Sequence, residues 1–258
     1  MRGLFFFLIA TLLLVELLVV LYPSVQGVPI GPGYLVFHSF VEGVVALIGI
    51  LLGAQFFRVF WKTAQIHFLI LGSGFFVAAA FDALHLLSYG GMPTTVIFPS
   101  ANTSEFFWLV ARGVLGAALL FAALVHFRII RRAAWMRAGF CITALCIGGI
   151  YLFAFLFGTD IPALVHITGA TELKKINELI VGGIYLIAGL VYGVRYWKSG
   201  DILYLLLMFF ALTVFAEINQ ALSLGPTFFS NWLSHVYTAL AYAVLLCVAS
   251  GLMKRDRV

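Results

Sequence analysis

Charge is the first thing this chain is short of. Only 10% of its 258 residues are Asp, Glu, Lys or Arg, against about 25% in soluble domains, and its mean hydropathy is +1.12. A water-soluble globule is excluded, because there is too little polar surface to clothe one. Cysteine is scarce too. Cys141, Cys146 and Cys247 form neither C-x-x-C nor C-x-x-C-H, so there is no haem-c attachment signal, and they read as reduced packing residues inside apolar runs. There is no Walker loop, Rossmann glycine pattern or G-x-S-x-G. No linker, low-complexity stretch, charge block or internal repeat interrupts the apolar runs. The chain therefore reads as a single domain over 1–258 with no soluble output domain. The net charge, 15 − 10 = +5, does not point to nucleic acid, because the basic residues gather at the ends of apolar runs.

Those runs are what the chain has in plenty. Hydrophobic residues make up 64% of it, and a hydrocarbon core about 30 Å thick takes about 20 apolar residues per helix. Eight spans follow: Gly3–Tyr22, Gly33–Trp61, Gln65–Ser88, Glu105–Phe127, Ala134–Phe157, Lys175–Trp197, Asp201–Ala221 and Trp232–Met253. Pro23 and Gly31-Pro32-Gly33 separate the first two, Gly90, Gly91, Pro93 and Pro99 the third from the fourth, and Gly225-Pro226 precedes the eighth. The first run is long for a secretory signal, carries Glu16 and lacks a good cleavage site, so it reads as a retained helix. The fold class is all-α, a polytopic membrane helix bundle. Gly72-Ser73-Gly74, Ala78-Ala79-Ala80 and Gly182-Gly183 mark where helices approach closely.

Orientation follows from Lys and Arg. Arg2, Arg58, Lys62, Arg128, Arg131, Arg132, Arg137, Arg195, Lys198, Lys254, Arg255 and Arg257 fall on alternate loops and the two ends, twelve of the fifteen basic residues. Both termini are expected to be cytoplasmic.

The functional signal lies in the polar residues within the spans. His38, Glu42, Asp82, His85, Arg112, Glu178, Glu217 and His235 all fall near the outer ends of their spans. Ionisable groups in hydrocarbon are costly and normally face a bundle interior or a wet cavity. His38 and Glu42 are four residues apart and Asp82 and His85 three, so each pair shares a helix face. His38, Glu42, Asp82, His85, Glu217 and His235 make a candidate metal-ligand set, and bundle metal sites use similar parts. A divalent metal, zinc or iron, is the candidate cofactor, and haem ranks behind it. Trp108, Arg112 and Glu178 are candidate ligand contacts, with Arg112 suited to neutralising a carboxylate and Trp108 to walling a pocket. Glu178 and Glu16 also lie close enough to the outer surface to reach headgroups. His67 and His126 read as interfacial residues at the inner ends of their spans, and His166 has no visible partner motif.

Three segments resemble a known family. Phe37-His38-x-x-x-Glu42, Phe81-Asp82-Ala83-Leu84-His85-Leu86-Leu87-Ser88-Tyr89-Gly90-Gly91-Met92 and Phe107-Trp108-Leu109-Val110-Ala111-Arg112 are similar to motifs of the third class of bacterial membrane-associated sensor domain, the MASE group. The likeness is strongest over residues 37–112. It implies a multi-helix sensory module of the bacterial inner membrane, and the polar residues at the outer ends of the spans read as its pocket for a metal ion or small ligand from the extracytoplasmic side. Such a module would sit in the lipid bilayer and signal to a cytoplasmic histidine kinase or diguanylate cyclase, and a homodimer is compatible with that role. Two other classes remain open. Three His, an Asp and Ser88 or Ser234 also suit an intramembrane zinc hydrolase of a lipid amide or ester. His38, His85 and His235, with His67 and His126, suit a haem-binding electron carrier. A transporter built on broken-helix repeats is not indicated.

Overall fold

The structure, a computed structural model, describes residues 2–31, 33–89, 92, 100–125, 129–157, 162–166, 169–225 and 227–255. Its helices are α1 (Arg2–Leu21), α2 (Pro23–Gln26), α3 (Tyr34–Thr63), α4 (Ile66–Leu87), α5 (Ala101–Leu124), α6 (Arg132–Phe157), α7 (Glu172–Arg195), α8 (Asp201–Leu222) and α9 (Phe229–Arg255). All but the four-residue α2 are long and apolar enough to cross a membrane, which gives eight spans. In lipid every backbone polar group must be satisfied within its own segment, and helices achieve this.

Three of the observed helices start three or four residues earlier than the apolar runs do. α5 begins at Ala101 rather than Glu105, α7 at Glu172 rather than Lys175, and α9 at Phe229 rather than Trp232. For α5 and α7 the reason is capping. The Ser100 hydroxyl accepts from the Thr103 N–H at 3.0 Å, and the Thr171 hydroxyl accepts from the Lys174 N–H at 3.2 Å. Such caps are worth about 1 kcal/mol and recruit a polar first turn that hydropathy alone passes over. The breaks expected at Pro32, Gly90, Gly91, Pro93, Pro99 and Pro226, and also His126, lie outside the described residues.

The helices form two compact units, residues 1–41 with 164–248 and residues 42–163 with 249–258. In the first unit α8 packs on α7 and on α1. Gly182 lets Glu217 of α8 come close, and Gly189 does the same for Phe210, whose Cβ lies 2.9 Å from where a Cβ on Gly189 would stand. Two features here have no signal in hydropathy. One is the short α2, which begins at Pro23, a residue suited to a first helical turn. The other is a hairpin of β1 (Val165–His166) and β2 (Gly169–Ala170). Gly169 has φ +123°, and a Cβ there would stand 2.9 Å from the Leu224 carbonyl oxygen. The loop before α3 is tied to the loop before α9 by Ile30 N–H to the Thr227 carbonyl (2.8 Å) and Phe229 N–H to the Val28 carbonyl (2.9 Å).

In the second unit α4 packs mainly on α5 and also on α6. One apolar cluster joins Val77, Phe81, Phe107 and Ala111, and another joins Phe57, Phe60 and Leu69. Small residues set the spacing. A Cβ on Gly53 would meet the Phe76 ring at 2.8 Å, one on Gly72 would meet the Phe57 ring at 2.9 Å, and one on Gly74 would collide with the Ala118 Cβ. The expected close-approach role of Gly72, Gly74 and Gly182 is borne out. The cysteines do not pack as expected, since Cys141, Cys146 and Cys247 are all exposed.

Gly74→Ala is expected to lower the thermal unfolding midpoint in detergent, by an overpacking cost of about 1–3 kcal/mol, although alanine is the better helix former. Gly183→Ala, which adds a methyl in open space, is expected to leave the midpoint unchanged or raise it.

Candidate metal site

The eight polar residues singled out in the spans are all buried in protein, each at most 2% exposed. They therefore have to be balanced by one another or by a ligand.

His38 and Glu42 lie one turn apart on α3, His85 is in the last turn of α4, and His235 is early in α9. One ligand atom from each of these four lies within 4.8 Å of the others. Three imidazoles and a carboxylate form a donor set suited to zinc or iron. Bonds of about 2.0–2.1 Å around a tetrahedral ion place its ligands roughly 3.4 Å apart. The 4.8 Å limit is wider than that.

The surroundings of the imidazoles fit the same role. His85 Nδ1 is 2.8 Å from the Ser104 carbonyl oxygen and 2.9 Å from Ser104 Oγ, and that hydroxyl lies 3.0 Å from the His85 carbonyl, to which it donates. With Nδ1–H donating to the carbonyl, the lone pair sits on Nε2. Ligating histidines are oriented in this way. His235 Nε2 lies 3.4 Å from the Asn231 amide nitrogen, which also bonds the Tyr34 hydroxyl. The His38 and His235 rings are perpendicular, with centroids 4.6 Å apart.

Of the six residues expected as ligands, His38, Glu42, His85 and His235 come together, and Asp82 and Glu217 fall outside that set. Asp82 forms a buried ion pair with Arg112. The Arg112 guanidinium also stands 4.8 Å over the Trp108 ring, and that ring lies 5.4 Å from His85. Arg112 thus neutralises a carboxylate, and Trp108 stands against a histidine of the set. Glu217 packs against Gly182, its Cβ 3.3 Å from where a Cβ there would be. Glu178 sits 3.9 Å from Lys174 Nζ, which also donates to Gln220 Oε1 at 3.0 Å. Glu16 accepts from Asn219 at 2.9 Å. The expectation that Glu178 and Glu16 reach headgroups is corrected, since both are buried. His67, at the start of α4, is 2% exposed with its ring 4.0 Å from that of Phe68.

Several partners went unseen in the sequence: Tyr34, Ser104, Lys174, Asn219, Gln220 and Asn231. A signal existed for four of them. Tyr34-His38-Glu42, Ser104-Trp108-Arg112, Lys174-Glu178 and Asn231-His235 are all runs at four-residue spacing, so each series lines one helix face.

Arg112→Gln leaves the Asp82 carboxylate buried without its cation, and a loss of about 3–5 kcal/mol is expected. Thermal unfolding of this variant beside Asp82→Asn/Arg112→Gln checks the account, because the double variant removes both charges and is expected to recover part of the loss.

The sequence profile of MASE3, a membrane-associated sensor domain, matches residues 32–250. No curated protein and no solved structure matches the chain. The match takes in all seven long helices from α3 to α9 except the fringes of α9, and it includes the four clustered residues on α3, α4 and α9. The chain belongs to the MASE3 family of membrane-associated sensor domains.

Proposed function

We propose that this sensor domain detects a divalent metal ion, zinc or iron, bound by His38, Glu42, His85 and His235. The observation that carries the reading is the convergence of those four donors within 4.8 Å, all buried. The oriented His85 and the pairing of Asp82 with Arg112 support it. Asp82 is paired with Arg112, and Glu42 is the carboxylate of the four-residue set.

The uneven distribution of Lys and Arg supports a level toward the extracytoplasmic face of a bacterial inner membrane, with both termini inside. The ion would enter from that side. Trp108 would wall the pocket beside His85. Drawing four donors to bonding distance would pull α3, α4 and α9 toward one point, and α9 would carry the change to a cytoplasmic kinase or diguanylate cyclase partner. The ion can shift the helices only by its difference in affinity for the two arrangements, and a near-complete switch takes about 10⁴-fold.

Purified protein is expected to hold one zinc or iron per chain by elemental analysis, and His85→Ala and Glu42→Ala to lose it. Ser104→Ala keeps all four ligands and the backbone carbonyl that orients His85 and removes only the hydroxyl beside it, so by metal-buffered titration affinity is expected to fall less than in the ligand variants. If His85→Ala and Glu42→Ala bind metal as the parent does, the proposal fails.

A further inference from the structure

A second site lies within the unit formed by residues 42–163 and 249–258. A groove of about 590 Å³ is lined by Phe57, Arg58, Trp61 and Lys62 of α3, Phe76 of α4 and Phe140 of α6. Arg58 and Lys62 are one helical turn apart, so they stand on one face, and both are exposed together with Trp61. The apolar wall is ordered by ring contacts, with Phe57 stacked on Phe76 at 5.4 Å and 4.7 Å from Phe140. Gly53 and Gly72 let those rings lie flat against the neighbouring helices.

The charge here has no acidic counterpart in the surrounding sequence. No Asp or Glu occurs in residues 43–81 or 106–159, the stretches that supply the whole lining of the groove. Arg131, Arg132 and Arg137, at the start of α6, add to the same basic end. A pair of cations above an aromatic trough, at the end of membrane-spanning helices, matches an amphiphile with an anionic head and an apolar tail.

We infer that this groove binds an anionic phospholipid, its phosphate held by Arg58 and Lys62 and one acyl chain lying along Phe57, Phe76 and Phe140. A guanidinium grips phosphate with two parallel hydrogen bonds and an ammonium serves as a point charge. Trp61 suits the headgroup level, where its ring is half apolar and half polar. Basic pockets between membrane helices bind anionic headgroups by this chemistry.

The test is native mass spectrometry of the full chain in detergent, titrated separately with phosphatidylglycerol, phosphatidylcholine and inorganic phosphate. Phosphatidylglycerol is expected to bind in preference to phosphatidylcholine, with inorganic phosphate failing to displace it. Arg58→Gln/Lys62→Gln is expected to weaken phosphatidylglycerol roughly thirtyfold, from about 1 kcal/mol for each charge. Arg137→Gln removes a nearby cation that does not line the groove, and is expected to leave affinity unchanged. Phe140→Ala leaves the charges in place and is expected to weaken the lipid through its acyl chain. Equal affinity for the two lipids, displacement by free phosphate, or equal losses in the Arg58/Lys62 and Arg137 variants would each overturn the assignment. The first would show no headgroup selectivity, the second a free-anion site, and the third diffuse attraction.

Discussion

Charge buried in hydrocarbon must be cancelled locally, because neither water nor mobile salt is there to do it. Most of what distinguishes this protein from a plain bundle of apolar helices follows from that constraint. Asp82 is cancelled by Arg112, whose outer face is covered in turn by the Trp108 ring. Glu178 has Lys174 beside it, and Lys174 has Gln220. Glu16 takes the Asn219 amide. His38, Glu42, His85 and His235 each offer a donor atom within 4.8 Å of the others, a group that could hold a metal ion. Pairs that cancel themselves hold helices together.

The helix period delivers these groups economically. A residue every fourth position stays on one face, so α3 carries Tyr34, His38 and Glu42 in a row, and α5 carries Ser104, Trp108 and Arg112. The first member of each row reaches a residue of another helix. Ser104 holds the His85 ring, and Tyr34 meets the Asn231 amide next to His235. Glycines at the helix crossings bring the backbones close enough for short polar side chains to reach one another, as at Gly182 beside Glu217.

A sensor has to couple a local event to helix movement, and the two proposed sites would do this through different physics. A metal would draw four side chains to one point over a distance set by coordination chemistry. A lipid in the basic groove would act through surface potential and acyl packing, and so would report on the membrane itself rather than on a solute. The groove has its own cations and its own aromatic wall, and shares no residue with the four-residue set.

Composition alone determined the solvent of this protein, because 10% charge leaves no way to cover a globule, and eight apolar runs determined its spans. Membership of the sensor family was legible in His38, Glu42, Asp82, His85, Trp108 and Arg112, which stand in local motifs. Tertiary structure decided how those residues were divided. Asp82 and His85 share a face at three-residue spacing, and nothing in that spacing tells which meets Arg112 and which meets Ser104. The burial of Glu16, Glu178 and His67 was likewise settled by neighbouring helices, since depth along a helix can be read from a chain but rotation about its axis cannot. Spans follow from transfer of a segment between two solvents, which is a property of that segment. A site depends on which faces of separate helices meet, and that is decided only by packing.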